Sequence, residues 1–201
     1  MKGLNKKFGA FGNINILGND DEFLKLASEA GCVSWAVGFE SVCSDSLAEM
    51  GKKTNKVHEY LSAIKKVHDH GMIITGFFVF GFDNDTLNIF EKTDEFVSKS
   101  DIDSPFGQIL TPLPGTPLYE RFQKENRILT KDWSRYTTTS VVFKPKNMNP
   151  QELLENTQEL FYRWYDTPKV IFRTIKSLKY GFYPFIDRIS ANTIFKYSRF
   201  S

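Results

Sequence analysis

Cysteine is nearly absent from this chain: Cys32 and Cys43 are the only two among 201 residues. Two thiols make no disulfide framework. Standing eleven positions apart with no third thiolate nearby, they make neither a zinc nor an iron–sulfur site. Cys32 is expected to pack beside a strand start, as small buried thiols do. Histidine is as scarce, at three residues. His58, His68 and His70 fall on one predicted helix at spacings that do not set them side by side. They are expected on the surface and at the helix C-terminus, where the dipole favours them, so no metal ligands are assigned. No apolar run approaches the roughly 18–20 residues of a membrane span. The basic stretch from Met1 to Phe11 lacks the apolar core of a secretory leader, and a cytoplasmic location is expected. Lys+Arg number 26 against 24 for Asp+Glu, a net charge of +2, so bulk charge selects no nucleic-acid partner. Also missing are the Gly-x-Ser-x-Gly elbow, the Gly-x-x-x-x-Gly-Lys phosphate loop and the His-Glu-x-x-His zinc motif.

What is present is an ordinary apolar fraction of 41% with 25% charged residues, and an unusual 19 Phe, enough for one domain with a core and an appendage. Phe11 to Leu17 is a short strand candidate. Asn19 caps a helix in capping-box spacing with Glu22, with Phe23, Leu26, Ala27 and Ala30 on its inner face, ending at Gly31. Val33 to Phe39 is an apolar strand. Asn55 caps a second helix bearing Val57, Tyr60, Leu61, Ile64, Val67 and His68 on one side, which ends at Gly71. Met72 to Phe80 is a near-continuous apolar run of the kind buried on both faces of a parallel sheet. Asp83 or Asn84 opens a third helix with Phe90, Thr93, Phe96 and Val97 inward, and Phe106 to Thr111 is the next strand. Strand–helix repetition predicts an α/β chain of βα units around a parallel sheet or barrel. After Pro112 the prolines of PLPGTPLY demand a loop. Asn149-Pro150-Gln151-Glu152 is a helix start, with Leu153, Leu154, Thr157, Leu160, Phe161 and Trp164 on one face. Residues 1–125 thus form the βα unit and 126–201 a mostly helical extension.

In parallel α/β folds chemistry sits at the C-terminal strand ends. Three ends are distinctive here. Gly38-Phe39-Glu40-Ser41 closes an apolar strand with a carboxylate and a hydroxyl. Glu40 either accepts hydrogen bonds from a ribose or pairs with Lys52 or Lys53. Gly76 to Gly81, through Phe78, brings glycines that admit a ligand or serve tight turns. Leu113-Pro114-Gly115 is a rigid loop whose backbone can frame an adenine.

The ordered set of GFES, the Lys52-x-x-Asn55 helix start, Gly71-Met72, GFFVFGFD at 76–83, Asp85-Thr86 and LTPLPGTP at 110–117 resembles the C-terminal half of the radical S-adenosylmethionine core. The members most alike carry an N-terminal cobalamin-binding domain, and Ile128-Leu129, Asp132-Trp133, Tyr136, Val142-Phe143 and Met148 extend the likeness. The resemblance implies a partial, TIM-like (β/α) barrel, of which this chain carries about the last four of six units, with a C-terminal helical extension. It implies S-adenosylmethionine as cofactor, with Gly38, Glu40 and Ser41 near the ribose or methionine part, Gly76, Phe78 and Gly81 flanking the adenosyl group, and Leu113, Pro114 and Gly115 its adenine. In the family a three-cysteine motif holds a four-iron four-sulfur cluster. Reductive cleavage there yields a 5′-deoxyadenosyl radical, and the cobalamin subgroup often transfers methyl groups.

That cysteine motif is absent here, and the segments for cluster and cobalamin are expected only in a longer parent. The chain is expected to be a C-terminal fragment of such an enzyme, inactive alone. The alternatives are one half of a split enzyme or a nucleotide-binding scaffold that lost the chemistry. No catalytic residue is assigned, and the small-molecule or lipid-like substrate is unnamed. Removing strands from a barrel would leave an unpaired edge at 11–17 and promote self-association. From Arg163 to Arg199 eight basic residues face two acidic ones among many aromatics. This tail is either a helix pair packed on the barrel or a basic amphipathic contact with a membrane surface. Anaerobic incubation of the pure chain with iron, sulfide and a reductant is expected to give no cluster absorption and no 5′-deoxyadenosine. Robust product would overturn the expected inactivity.

Overall fold

The two longest apolar runs become the central strands of a sheet. The computed structural model describes residues 6–52 and 54–196. In chain order the elements are β1 (Phe8–Gly12), α1 (Ile14–Asn19), α2 (Asp21–Glu29), β2 (Cys32–Glu40), α3 (Ser44–Glu49), α4 (Tyr60–Asp69), β3 (Ile73–Phe80) and α5 (Asn88–Ser100). There follow β4 (Ser104–Ile109), α6 (Pro117–Lys124), α7 (Pro150–Trp164), α8 (Thr167–Ser177) and α9 (Phe182–Lys196). The strands pair in parallel in the order β1-β2-β3-β4. Parallel neighbours taken in chain order are what successive βα units produce as they wind one way, and they bring the C-terminal ends of the strands to one edge.

Side-chain alternation divides the sheet into two faces. Toward the helices point Phe39 and Phe78, stacked at 5.5 Å, with Tyr60 of α4 and Phe96 of α5 against them. Phe80 meets Phe90 of α5 at 4.8 Å. Burying such a ring contributes roughly 1.5–3 kcal/mol, and this aromatic layer takes up five of the 19 Phe. The other face carries Thr75, Phe77 and Val79 of β3, all only half-buried. The run at 72–80 is therefore not equally buried on both sides, because its second face lines the concave side of an open sheet. The lower part of that side is covered by α9 beside Ser34, Ala36 and Thr75.

Several local expectations are corrected. Residues 11–17 are not one strand: β1 ends at Gly12, and Asn13 then caps α1 by accepting from Asn15 N. The next cap is Asp20, not Asn19. It accepts from Phe23 N, and Leu24 faces inward while Phe23 and Leu26 stand exposed. Asn55 does not cap α4, and Leu61 is exposed. The third helix begins only at Asn88, since Asp83 and Asp85 are engaged elsewhere. The proline loop is shorter than predicted. Thr116 accepts from Tyr119 N and opens α6 at Pro117. The capping box at Asn149 and Glu152 is present, and Leu153, Thr157, Leu160, Phe161 and Trp164 of α7 are buried as expected. Cys32 is buried at its strand start. No helix among the described residues is long and apolar enough to cross a membrane.

His68 is half-buried, turned in from the surface. Its Nε2 lies 2.8 Å from Asp103 Oδ2, which also accepts from Ile74 N, and its ring stacks on Tyr180 at 5.0 Å. Arg188 of α9, fully buried, reaches Asp103 Oδ1 at 3.5 Å and donates to Ser104 Oγ. This cluster sits at the N-terminal ends of β3 and β4, the base of the sheet. Burial, with Lys179 nearby, pulls the His68 pKa from its ordinary 6.5 down to about 4, against the opposing pull of Asp101. The ring is then neutral at pH 7 and donates to Asp103, since a carboxylate only accepts. A histidine that resists protonation when folded makes the unfolded state bind more protons as pH falls. Stability is expected to fall by up to about 3 kcal/mol between pH 6.5 and 4. Denaturant melts across that window should show the slope in the native chain and a flatter one in His68→Gln.

Candidate functional site

The tip of β2 is the most specifically built of the three strand ends. Its pairing with β3 shifts between Gly38 and Glu40, leaving Phe39 as the extra residue of a bulge. The Phe39 carbonyl accepts from Tyr60 Oη at 2.9 Å, Ser41 N at 2.8 Å and Asn55 Nδ2 at 3.3 Å, and Asn55 also donates to Gly38 O. Clamped so, the chain turns at Glu40, which adopts φ +65°, a left-handed conformation uncommon for a side-chain-bearing residue. The turn folds the Glu40 carboxylate back over Gly38, where a Cβ would lie 2.4 Å from Oε1. Lys52 Nζ donates to the same Oε1 at 3.1 Å. Of the two pairings the sequence left open, Lys52 is present, and Lys53 lies outside the described residues. Gly38 alternates with Phe39 and so faces the concave side, as do Phe77 and Val79, and Gln108 across from Val79. Ser41 is buried and its Oγ accepts from Cys43 N, so that hydroxyl shapes the turn into α3.

The tip of β3 is filled by the protein itself. Gly76 and Phe78 look toward the helices, the face opposite Glu40. A Cβ on Gly76 would meet the Phe39 ring at 3.0 Å, and Phe78 has no exposed surface, with Trp164 at 5.9 Å. Gly81, at φ +105°, leaves the space taken by Leu153 of α7 and by Phe143. Beyond it Asp85 Oδ2 accepts from Gly81 N and Phe82 N, and Oδ1 accepts from Ser46 Oγ. Burial raises the Asp85 pKa. Asp83 pairs with Arg127 at 2.7 Å, Lys146 at 2.8 Å and Arg121 at 3.5 Å, and Arg121 reaches Glu49 at 2.6 Å. Burial pushes the Asp83 carboxyl up, yet Arg127, Lys146 and Arg121 outweigh it and hold the pKa below the usual range. Side chains from α3, α6 and the segment before α7 thus lock the loop after β3. No motif or spacing announced this network. The closest thing to a signal was Asp85, an Asx-type acceptor just past a glycine turn.

The third end is open. Leu113, Pro114 and Gly115 are exposed, and none of them lines the neighbouring cleft of about 430 Å³ floored by Phe82 and Leu110 between Met50 and Leu118. The structure therefore gathers Gly38, Glu40 and the 113–115 loop on the C-terminal edge as accessible groups. Gly76, Phe78 and Gly81 are packed behind them. Among the described residues no group of three His, Cys, Asp or Glu could hold a metal.

Residues 116–187 match the family described as a domain of unknown function, DUF4070. Bacteriochlorophyllide d C-12(1)-methyltransferase of Chlorobaculum tepidum is 37% identical over 153 residues, 75% of this chain and 33% of that protein. The radical S-adenosylmethionine methyltransferase TsrM of Kitasatospora setae, with cobalamin and a [4Fe-4S] cluster bound, superposes with a TM-score of 0.53 at 17% identity, over 59% of this chain and 23% of its own. The cobalamin-dependent S-adenosylmethionine radical enzyme OxsB superposes at 0.54 with 16% identity, over 95% of this chain and 34% of its own. These superpositions show the fold. The chain spans between 33% and 38% of the length of three curated relatives that it matches.

The clamp makes a measurable demand. Tyr60→Phe keeps the ring and removes one bond to Phe39 O, and should cost about 1 kcal/mol in denaturant melts. Gly38→Ala should displace the Glu40 carboxylate and break its pairing with Lys52. Perturbation of the Lys52 side-chain NMR signals in Gly38→Ala, with those of Lys65 unchanged, is the expected result.

Proposed function

We propose, since this chain belongs to the radical S-adenosylmethionine superfamily, that it forms the C-terminal wall of an S-adenosylmethionine site in a methyltransferase or related radical enzyme acting on an unreactive carbon. The observation that carries the reading is the Glu40 carboxylate, turned by a clamped bulge onto the concave face at a strand tip. A carboxylate there accepts from ribose hydroxyls or from the ammonium of the methionine part, and charge-assisted bonds of this kind are the strong ones. The exposed 113–115 loop is the adenine frame. Phe77 and Val79, which share the concave face, take the adenosyl-flanking place first assigned to Gly76, Phe78 and Gly81.

The residues present do not fit an iron–sulfur cluster. Cys32 donates to Ser34 O in the core, where burial pushes its thiol pKa up. Cys43 is the only other cysteine. A thiol held protonated is a poor ligand, so no step is derived through a cluster or through cobalamin. On this reading both are held by other segments, and the work of this chain is to bind and orient.

The second reading is a nucleotide-binding module without radical chemistry. Supplying a segment that brings the three-cysteine motif separates the two, because only the first reading expects 5′-deoxyadenosine to form. Binding itself is tested by equilibrium dialysis of S-adenosylmethionine against the pure chain and Glu40→Gln. The variant should bind about tenfold more weakly, the loss of one charge-assisted bond. Equal binding by the two would remove Glu40 from the site and with it the reading.

A further inference from the structure

Amphipathic helices bury their apolar stripe, and α8 and α9 leave much of theirs outside, although Val170 and Phe195 pack against the core. Their buried side chains are Ser177, Pro184, Arg188 and Asn192. Of the twenty large hydrophobic side chains exposed among the described residues, nine lie between Ile171 and Ile194. Ile171 and Ile175 share a face of α8 with Phe172 beside Ile175 at i,i+3, Phe182, Ile186 and Ile189 share a face of α9, and Leu178 joins the two helices at their turn. The helices pack on one another, so these side chains form a ridge. An exposed apolar patch of this size marks a contact surface.

Charge says what covers it. Asp187 is the only acidic residue from Thr167 to Lys196, and it is turned inward beside Ser34. The outward side carries cations: Lys179 stands over the Tyr180 ring at 4.5 Å, and Lys7 of the neighbouring edge lies 5.6 Å from the Tyr183 ring. Where the ridge meets α5, a cleft of about 370 Å³ is lined by Lys169, Phe172, Arg173 and Lys176, the last paired with Asp101 at 2.5 Å. An apolar ridge of aromatics and isoleucines, with no outward acid of its own and with Asp101 at its border paired to Lys176, complements an anionic lipid surface.

We infer that the α8–α9 hairpin docks on an anionic phospholipid bilayer, inserting the Phe172–Ile175–Phe182 ridge among the headgroups. It does so as a peripheral contact, independently of any S-adenosylmethionine site. The test is co-sedimentation of the full chain with vesicles of phosphatidylcholine alone or of phosphatidylcholine with phosphatidylglycerol. The chain should pellet with the anionic vesicles about tenfold more than with the neutral ones and be released by salt. Phe172→Ser/Ile175→Ser/Phe182→Ser should lower that partitioning by about tenfold or more while melting like the native chain, because all three side chains are exposed. Should that variant fail to fold, Lys169→Glu/Lys179→Glu must show the same loss. Failure to bind anionic vesicles, or binding that neither variant changes, would overturn the inference. So would a dimer seen by light scattering that the triple variant abolishes while vesicles bind nothing, since the ridge would then belong to a second copy of this chain.

Discussion

The geometry of the β2 tip depends on one carbonyl. Phe39 O collects a phenol, a carboxamide and a backbone amide, so the bulge cannot relax into the regular ladder without leaving buried donors unpaired, each costing about 1–3 kcal/mol. That surplus is what holds Glu40 at φ +65°, since positions of that kind persist only where the surroundings over-determine them. The two side-chain donors come from the loop before α4 and from α4 itself, so the helix that buries the Phe39 ring also aims the neighbouring carboxylate. Packing and site are one construction at this point. The Tyr60 hydroxyl pKa, raised by burial, keeps it a donor at any physiological pH.

A different logic governs the next tip. Gly81 and Gly76 resemble ligand cradles in sequence, yet protein atoms fill the space each leaves. The β3 loop is instead tied by Asp85 to its own backbone and by Asp83 to three cations from later in the chain. Arg127 also lies over the Phe122 ring at 4.0 Å, so its charge is held by an aromatic face as well as by Asp83. The segment after α6 therefore braces the mouth of the sheet from outside, leaving the concave side to Glu40, Phe77 and Val79.

The strand–helix order was legible because the mostly apolar runs at 33–39 and 72–80 have few other uses in a short α/β chain. The family likeness was legible for the same reason: it rests on the order of strand ends, which the fold preserves. Local choices decided by a single side chain were not. NINIL, rich in β-branched residues, became a helix because Asn13 caps it. The inner face of α2 was misjudged because Leu24, and not the more conspicuous Phe23, points inward. Glu40 was legible as a candidate, but its clamp was not, because Asn55 had an equally good use as a helix cap. The base cluster was invisible, since His68 and Arg188 reach their partners across 35 and 84 residues and no periodicity connects them.

That base cluster explains why the last helices wear their apolar side outward. Rolling α9 half a turn would bury Phe182, Ile186 and Ile189, a gain of roughly 1.5–3 kcal/mol for each. It would also strip Asp103 of Arg188 and expel the guanidinium from Ser104. Breaking one partner from a buried ion pair costs about 3–5 kcal/mol, and Asn192, which donates to Thr174 Oγ1 of α8, would be lost with it. The two sides are close in magnitude, so hydrophobicity alone does not choose between the orientations. The polar anchor decides by geometry: Arg188, whose pKa burial lowers to about 9, fits one place at the base of β4. Such an anchor fixes orientation more than it stabilises, and an apolar ridge left facing out by a specific polar contact is a surface the fold presents, not one it failed to bury.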